Sequence, residues 1–334
     1  MKTKTYYLIG ILVLLSAIFG YHFIAASQAE QQINEALKKY DEQNDDISIT
    51  YSLVNITPFS ADLTVNDLTI IFGDHIERAH KIVVDLGYGD FLNIYFGGTK
   101  YGLKNMDYAV ITAKTPSYVN RSARQEIKSD SLTIAYQGNV YDGLRNAINQ
   151  TVFQHHHTID ITTKNTTISL PNISFTKATA KNIRYEGEIS SPKINFWTEG
   201  THAVQFDSLI WTPSADFQNR YSFFIKGFGY NADAIPFEYA ELNTRPDSST
   251  NQLAVKADLK SELALLSMDG NIKKLQPFTN SQFHGTQLTL SQFSEQFSSM
   301  LKNMKGLFNI SLPQQDGTIS IKLEGTVSDP RIVK

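Results

Sequence analysis

An uncharged apolar segment near the N-terminus constrains this chain more than any other feature. Residues 6–26 contain no Asp, Glu, Lys or Arg. A helix rises about 1.5 Å per residue, so this segment just crosses a hydrocarbon layer about 30 Å thick. Lys2 and Lys4 precede it, and the first charges after it are Glu30 and Glu35. Because basic residues favour the cytoplasmic side, we predict a single-pass anchor with a cytoplasmic N-terminus and the bulk of the chain outside the cytoplasm.

A cleaved signal peptide is the alternative explanation of this segment. The small residues in Ser27-Gln28-Ala29 fit a cleavage site. The apolar run is longer than the roughly 7–15 residues of a signal-peptide core, which favours a retained anchor. We therefore predict a cytoplasmic stub and transmembrane anchor at residues 1–27, and cleavage stays open.

The composition of the 334-residue chain excludes several kinds of chemistry. Its formal net charge is −3, which does not indicate nucleic acid as a partner. It contains no cysteine, so a thiol nucleophile and cysteine-ligated metals are excluded. The chain beyond the anchor is long enough for one large β domain or two smaller ones.

Residues 28–43 have the pattern of a short amphipathic helix. Ile33, Leu37 and Tyr40 recur at helical spacing between polar residues. We predict that this helix continues from the anchor and packs on the first strands.

Residues 44–334 show many short runs with a period of two, separated by turn residues. Leu253, Val255 and Ala257, for example, alternate with Ala254 and charged residues. This pattern is typical of antiparallel strands with one apolar face. Runs at residues 91–96, 194–197 and 221–226 are among the predicted strands, and the polar stretch 115–130 marks a possible sub-boundary.

One local signal interrupts the strand pattern. Leu63 and Val65 are followed by Leu68 and Ile70, so the apolar phase slips by one at residues 66–67, which predicts a bulge or a tight turn.

Helices are predicted at residues 142–150 and 291–305. Thr289 and Gln292 fit a capping box for the second of these helices.

Together these patterns predict a mainly β fold. We expect an extended, curved antiparallel sheet, forming either a groove or a sandwich, with few helices and one preceding transmembrane helix. The apolar face of such a sheet must close on itself, pack on a second sheet or hold a ligand. The sequence leaves these three possibilities open.

No residue pattern indicates catalysis or metal binding. His155, His156 and His157 form the most conspicuous polar cluster, but adjacent strand residues point to opposite faces, so a shared metal is not favoured. No nucleophile elbow and no catalytic carboxylate pair is recognisable. We therefore predict no enzymatic activity, no cofactor and no metal, and we interpret Trp197 and Trp211 as core or interface anchors.

Two stretches resemble the AsmA-like family of envelope proteins, which includes the TamB-related proteins. One stretch is residues 56–70, which follow the membrane helix and the amphipathic helix and are similar to the first strands of AsmA-like domains. The other is residues 316–330, where a strand is followed by a Gly-Thr turn before Pro330. Residues 115–251 match only in the style of their strands.

This resemblance implies an inner-membrane-anchored periplasmic protein with an AsmA-like domain at residues 44–334. It also implies a role in cell-envelope lipid homeostasis and outer-membrane biogenesis, with an apolar β-groove that carries or shields the acyl chains of phospholipids. The candidate groove residues are the alternating apolar positions Leu132, Ile134, Ile159, Ile161, Leu253, Val255, Ile319, Ile321 and Leu323.

Other interpretations of these residues and of the chain stay open. Each candidate position fits an ordinary sandwich core equally well. An envelope assembly or scaffold protein, contacting other proteins through sheet edges, is the alternative function. An exported enzyme is a third possibility, which would require a catalytic arrangement that the sequence does not reveal.

Overall fold

The computed structural model describes most of the chain beyond its first residues. The described residues are 23–35, 37–39, 41–42, 46–85, 87–171, 175–227, 229–247, 249–275, 277–308 and 317–333. The predicted anchor therefore lies outside the described part except for residues 23–26, which are helical. None of the helices in the described ranges is long and apolar enough to cross a membrane.

All strands of the described chain belong to one sheet of seventeen strands. The first strands are β1 (Ile47–Thr50), β2 (Leu53–Ile56), β3 (Leu63–Phe72), β4 (His75–Asp85), β5 (Tyr108–Lys114), β6 (Ser117–Asn120), β7 (Gln125–Lys128), β8 (Ser131–Gln137) and β9 (His157–Ser169). The remaining strands are β10 (Phe175–Ile189), β11 (Thr201–Pro213), β12 (Ile235–Asp247), β13 (Gln252–Lys260), β14 (Leu265–Lys273), β15 (Gln282–Ser291), β16 (Ile319–Gly325) and β17 (Pro330–Val333).

The sheet is an antiparallel meander in which three successive pairs of strands, β1 with β2, β5 with β6 and β7 with β8, each lie along the same neighbouring strand. Both β1 and β2 pair with β3, while β5 and β6 both pair with β4. In the same way β7 and β8 both pair with β9, and from β9 to β17 each strand pairs with the next. The prediction of a mainly β, antiparallel fold is confirmed. The possible sub-boundary at residues 115–130 falls on the β6–β7 hairpin, whose strands are part of the same sheet.

A row of kinks, which we call the crease, crosses the sheet. Asp67, Thr115, Asn165 and Ser208 have left-handed backbones, with φ of 51°, 47°, 48° and 51°. The pairing registers align these residues in one transverse row. Non-glycine residues adopt this conformation at a cost, which short polar side chains reduce by local hydrogen bonds. Accordingly, Asp67 accepts a hydrogen bond of 2.8 Å from Ser52 Oγ.

The crease explains the phase slip that the sequence shows at residues 66–67. The registers on the two sides of Asp67 are continuous, because Asn66 pairs with Lys81 and Leu68 pairs with Ala79. The predicted bulge or tight turn is therefore wrong, because the slip is a kink within one continuous strand, without the extra residue that defines a bulge. In a regular strand, residues three positions apart point to opposite faces. Ala79 and Ile82 are three positions apart on β4 and yet line the same cavity, so the kink keeps the apolar residues of both halves of the sheet on one face.

The helices lie in the connections at the two ends of the sheet. They are α1 (helical at 23–35, 37–39 and 41–42), α2 (Tyr88–Gly97), α3 (Thr99–Lys104), α4 (Val140–Asn149), α5 (Phe196–Glu199), α6 (Ala215–Gly227) and α7 (Glu295–Phe308). The connections that hold α2, α3, α4 and α5 all fall at one end of the meander, which we call the first end. The connections with α6 and α7 fall at the opposite end.

Helix α1 runs beside β1 and β2 at the edge of the sheet. The backbone N–H of Ile56 donates to Glu30 Oε1, and that of Ile49 donates to Asp41 Oδ1, each at 2.7 Å. Ile33 packs with Ile56 in a buried cluster. The helix predicted at 28–43 is present at the described residues of that range, and its side chains occupy edge N–H groups that would otherwise invite another strand.

Three predicted strands are wrong. Residues 91–96 lie in α2, residues 194–197 include the start of α5, and residues 221–226 lie in α6. Short apolar runs do not distinguish a strand from a buried helix by periodicity alone, and here the tertiary contacts decided. Phe91, for example, is buried against the small residues of α1.

The helix predicted at 142–150 is confirmed as α4, but the predicted capping box of α7 is wrong. Thr289 lies inside β15, and the helix begins only at Glu295. Ser294 supplies the cap instead, since its Oγ accepts a hydrogen bond of 3.1 Å from the N–H of Phe297.

Candidate functional site

One face of the sheet, which we call the inner face, carries an unbroken row of apolar side chains. Directly paired residues of neighbouring strands point to the same face. The registers define a first row in which every member is apolar or aromatic. From β2 to β9 it contains Ile56, Leu63, Val84, Ile111, Ile134 and Ile161. From β10 to β16 it contains Tyr185, Val204, Leu242, Ala257, Met268, Leu288 and Ile321.

A second row, apolar except at Thr163, lies beside the first on the inner face. From β2 to β9 it contains Val54, Val65, Ile82, Ala113, Leu132 and Thr163. From β10 to β16 it contains Ile183, Phe206, Ala240, Leu259, Leu266, Leu290 and Ile319. The row between them, on the opposite face, is polar at nearly every position, for example Thr133, Thr162, Gln205, Glu241, Asp258 and Ser320.

The two apolar rows are not covered as a protein core would be. Ile111, Leu242 and Leu266 are 37%, 39% and 37% exposed. Outside Val54, Ile56, Val65, Ala113 and Ile319, the members of both rows are partly or largely accessible to solvent. Fully burying such a side chain contributes about 1.5–3 kcal/mol, so the protein leaves a large part of this stabilisation unused. Exposed apolar surfaces of this extent are typical of surfaces that contact a protein partner, a membrane or a ligand.

Cavities follow the inner face in series. Cavity A, of about 430 Å³, lies over the crease and is lined by Leu68, Ile70, Ala79, Ile82, Leu132 and Ile134, among others. Cavity B, of about 510 Å³, lies at the first end beneath α4 and α5, where Val140, Leu144, Phe153, Ile159 and Phe196 contribute to its walls. Ile111 lines both cavities, so they adjoin.

Cavity C, of about 720 Å³, continues the series on the other side of α5. It is lined by Trp197, Thr198, Thr244, Asn251, Leu253, Lys274, Leu275 and Phe278. Trp197 lines both cavity B and cavity C. The walls of cavities B and C both combine apolar and polar groups, and the one Lys, Arg, Asp or Glu among their described lining residues is Lys274 of cavity C.

Three polar side chains, which we call the latch, hold α4 against the sheet. His157 is fully buried, and its Nε2 lies 3.0 Å from Asp142 Oδ2 on α4. Its Nδ1 makes a short hydrogen bond with the hydroxyl of Tyr136 on β8. Asp142 Oδ2 also accepts the N–H of Gln154 at 2.6 Å. A Cβ at Gly143 would lie 2.2 Å from the Tyr136 hydroxyl oxygen, so α4 needs a glycine here.

The electrostatics of the latch suit a structural role. Burial lowers the pKa of His157, although the hydrogen bond with Asp142 opposes this effect. Burial, together with the Asp142 carboxylate, raises the pKa of Tyr136. A neutral imidazole that donates from Nε2 to Asp142 and accepts at Nδ1 satisfies all three groups. A tyrosine whose pKa is raised is not activated as a nucleophile.

The three consecutive histidines at residues 155–157 therefore have different environments. His157 belongs to the latch, while His155 and His156 are exposed. Across the described residues, no group of three or more His, Cys, Asp or Glu side chains is placed to hold a metal ion.

Aromatic rings surround Trp197 at the boundary between cavities B and C. The rings of Trp197 and His202 are stacked at 5.8 Å, and Tyr185 stacks on His202 from 5.9 Å. The Tyr185 hydroxyl lies 2.8 Å from His202 Nδ1. Burial lowers the pKa of His202 and raises that of Tyr185 to about 12, so both groups are neutral near pH 7.

The nine candidate groove residues all lie on the inner face. Leu132 and Ile134 line cavity A, Ile159 lines cavity B, and Leu253 lines cavity C. The registers place the other members in or beside the apolar rows: Ile161, Val255, Ile319, Ile321 and Leu323. Among these, Val255, Ile319 and Leu323 are buried.

Several residues of the site were missed from the sequence. Trp197 is 68% exposed and lies between two cavities, so it is not a core residue. A signal for α5 was present: Asn195 caps the N–H groups of Trp197 and Thr198 at 3.0 and 3.1 Å, and Glu199 closes the same turn. No sequence signal places Lys274 beside Trp197, because that proximity depends on long-range strand pairing.

No family model, curated protein or solved structure matches this chain. The resemblance to the AsmA-like family therefore stays a prediction.

Proposed function

We propose that the inner face is an open apolar groove that binds or shields lipid acyl chains. The protein would act without catalysis, as an inner-membrane-anchored periplasmic protein of the AsmA-like type in cell-envelope lipid homeostasis. The observation that carries this proposal is the pair of apolar rows that cross the sheet from β2 to β16 without a second layer over them in the described structure.

An acyl chain matches the chemistry of these rows. It requires no hydrogen bonds, and the walls of cavities A and B offer mainly aliphatic and aromatic contacts. Each buried CH₂ group contributes about 0.8 kcal/mol, so a long chain gains affinity from contact area alone. The rows are continuous over many strands, which suits a long flexible ligand better than a compact one.

The latch supports a binding role over an enzymatic one. Tyr136 and His157 line cavity B, but their hydrogen bonds are used within the latch and fix α4. An enzyme would need a polarised group directed at the bound ligand.

The proposal is tested by comparing substitutions on the two faces of one strand. Ile134→Asp places a charge in the first apolar row, and Thr133→Asp places the same charge one residue away on the opposite face. The full-length chain of each variant is purified from a bacterial host, and the bound lipid is counted by native mass spectrometry and lipid extraction. Lipid held around the anchor is the same in both variants and cancels in the comparison.

We expect wild type and Thr133→Asp to retain phospholipid and Ile134→Asp to lose most of it while remaining folded by circular dichroism. Equal lipid content in all three proteins would refute the groove. A wild-type protein that carries no lipid but cross-links to envelope proteins would favour the scaffold function instead.

A further inference from the structure

Cavity C differs from the other cavities in its chemistry. Its wall combines the apolar side chains of Leu253, Leu275 and Phe278 with polar groups from Asn251 and Lys274. The described lining of cavity B contains no Asp, Glu, Lys or Arg, and in cavity A the charges of Glu77 and Arg78 are opposite, whereas Lys274 gives cavity C a net positive charge. A ligand that extends from cavity B into cavity C must therefore have an apolar part and a polar part.

Three charged side chains lie around α5, and of these Lys274 lines cavity C. Lys193 Nζ donates to the carbonyl oxygen of Glu199 at 2.8 Å, and Lys274 Nζ lies 3.4 Å from that of Thr198. One carboxylate, Glu199, lies among these two ammonium groups. In the described residues neither lysine forms an ion pair within 4.0 Å.

The Glu199 carboxylate is already engaged by the backbone. It accepts the N–H groups of Ile194 and Asn195, each at 2.8 Å. These hydrogen bonds and the two lysines lower the pKa of Glu199. Both N–H groups donate to Oε2, which ties one carboxylate oxygen to the base of α5. Because Lys274 forms no ion pair with Glu199 within 4.0 Å, its ammonium group remains available to a ligand in cavity C.

We propose that cavity C binds the phosphate of a phospholipid headgroup with a net negative charge, whose acyl chain lies in cavities B and A. This assignment rests on the proposed lipid-binding function and adds the headgroup class and the orientation of the lipid. Lys274 attracts the phosphate as a point charge. The Asn251 amide donates one N–H to the carbonyl oxygen of Lys274 at 3.1 Å, and its second N–H can donate to the headgroup. Trp197 stands at the boundary, where an amphipathic aromatic ring contacts both the chain and the polar region.

Two adjacent lysines provide a matched test. Lys274→Gln removes the ammonium group from cavity C, whereas Lys273→Gln removes the same charge from the opposite, exposed face of β14. The full-length proteins are mixed with equal amounts of phosphatidylglycerol and phosphatidylcholine, and the bound lipids are quantified by native mass spectrometry. Thermal unfolding confirms that both variants remain folded.

We expect the wild type to prefer phosphatidylglycerol, and this preference to fall roughly tenfold in Lys274→Gln, as removing a hydrogen bond to a charged group predicts. The preference should be unchanged in Lys273→Gln. Glycerol 3-phosphate in excess should not displace the lipid, because it carries the phosphate without the chain.

The outcomes separate the two proposals. Equal binding of both lipids by the wild type, or an unchanged preference in Lys274→Gln, would overturn the headgroup site and leave the groove intact. Displacement by glycerol 3-phosphate would show a free-phosphate site and also overturn it. A wild-type protein without any bound lipid would overturn the proposed function itself.

Discussion

The indole of Trp197 is stacked on the imidazole of His202, with ring centroids 5.8 Å apart and ring planes 22° apart. This stacking fixes an exposed tryptophan at the boundary of cavities B and C. The chain has only two tryptophans, so Trp197 can be observed by fluorescence once the other one is replaced.

Trp197 should report directly on bound lipid. In a Trp211→Phe background, we expect phospholipid with brominated acyl chains to quench the emission of Trp197, because heavy atoms in cavity B lie in contact with the indole. The measurement is steady-state fluorescence against the same lipid without bromine. Unchanged emission on loading of brominated lipid would contradict an acyl chain in cavity B.

Substitution by glycine should stabilise the protein at a crease residue and destabilise it at an ordinary strand position. Thr115 is β-branched and has a φ of 47°. Replacement by glycine removes the steric cost of this backbone, and we expect Thr115→Gly to raise the free energy of unfolding by up to about 1 kcal/mol. Thr112→Gly, in the regular part of β5, should lower it by a similar amount. Chemical denaturation measures both, and destabilisation of equal size in the two variants would count against strain at the crease.

The latch should contribute measurably to stability. Tyr136→Phe deprives the buried His157 Nδ1 of its hydrogen-bond donor, and we expect a loss of about 1–3 kcal/mol in the free energy of unfolding. Tyr108→Phe, which changes a largely exposed tyrosine, is the matched control and should have almost no effect. Equal stabilities of the two variants would show that the latch does not hold α4.

Stability should fall as the pH is lowered through the histidine range. Burial lowers the pKa values of His157 and His202 in the folded protein. The unfolded chain takes up protons near pH 6.5, whereas the folded protein does so only at lower pH. The free energy of unfolding is therefore highest above pH 6.5 and decreases below it, until the folded-state pKa values are reached.

Substitution identifies the groups responsible for this pH dependence. We expect the decrease between pH 7.5 and pH 5 to become smaller in His202→Gln and to remain in His155→Gln, where an exposed histidine is replaced. Denaturation curves at several pH values provide the measurement. A decrease of the same size in His202→Gln would exclude His202 as a source of the effect.

Much of the sheet could be predicted from local sequence patterns. The alternation of Leu253, Val255 and Ala257 and the phase slip near Asp67 are both properties of single strands. The structure confirms the first, and at the second it has a kink in place of the predicted bulge or tight turn. Segments of ambiguous period were predicted less well. The aromatic run at 91–96 forms a helix because Phe91 packs on Ala25 and Ala26 of α1, which no local pattern reveals.

The sequence alone determined which side chains can share a face, because a strand alternates with a period of two and a left-handed residue shifts that period by one. It thereby identified all nine groove candidates as one class of position. Only the tertiary structure decided that these positions align from strand to strand into continuous rows, and that Trp197 and Lys274 meet at one cavity. The alignment of these positions and the proximity of Trp197 to Lys274 depend on pairing between strands that are distant in sequence. The physical reason is that register is a property of a pair of strands, whereas periodicity is a property of a single strand.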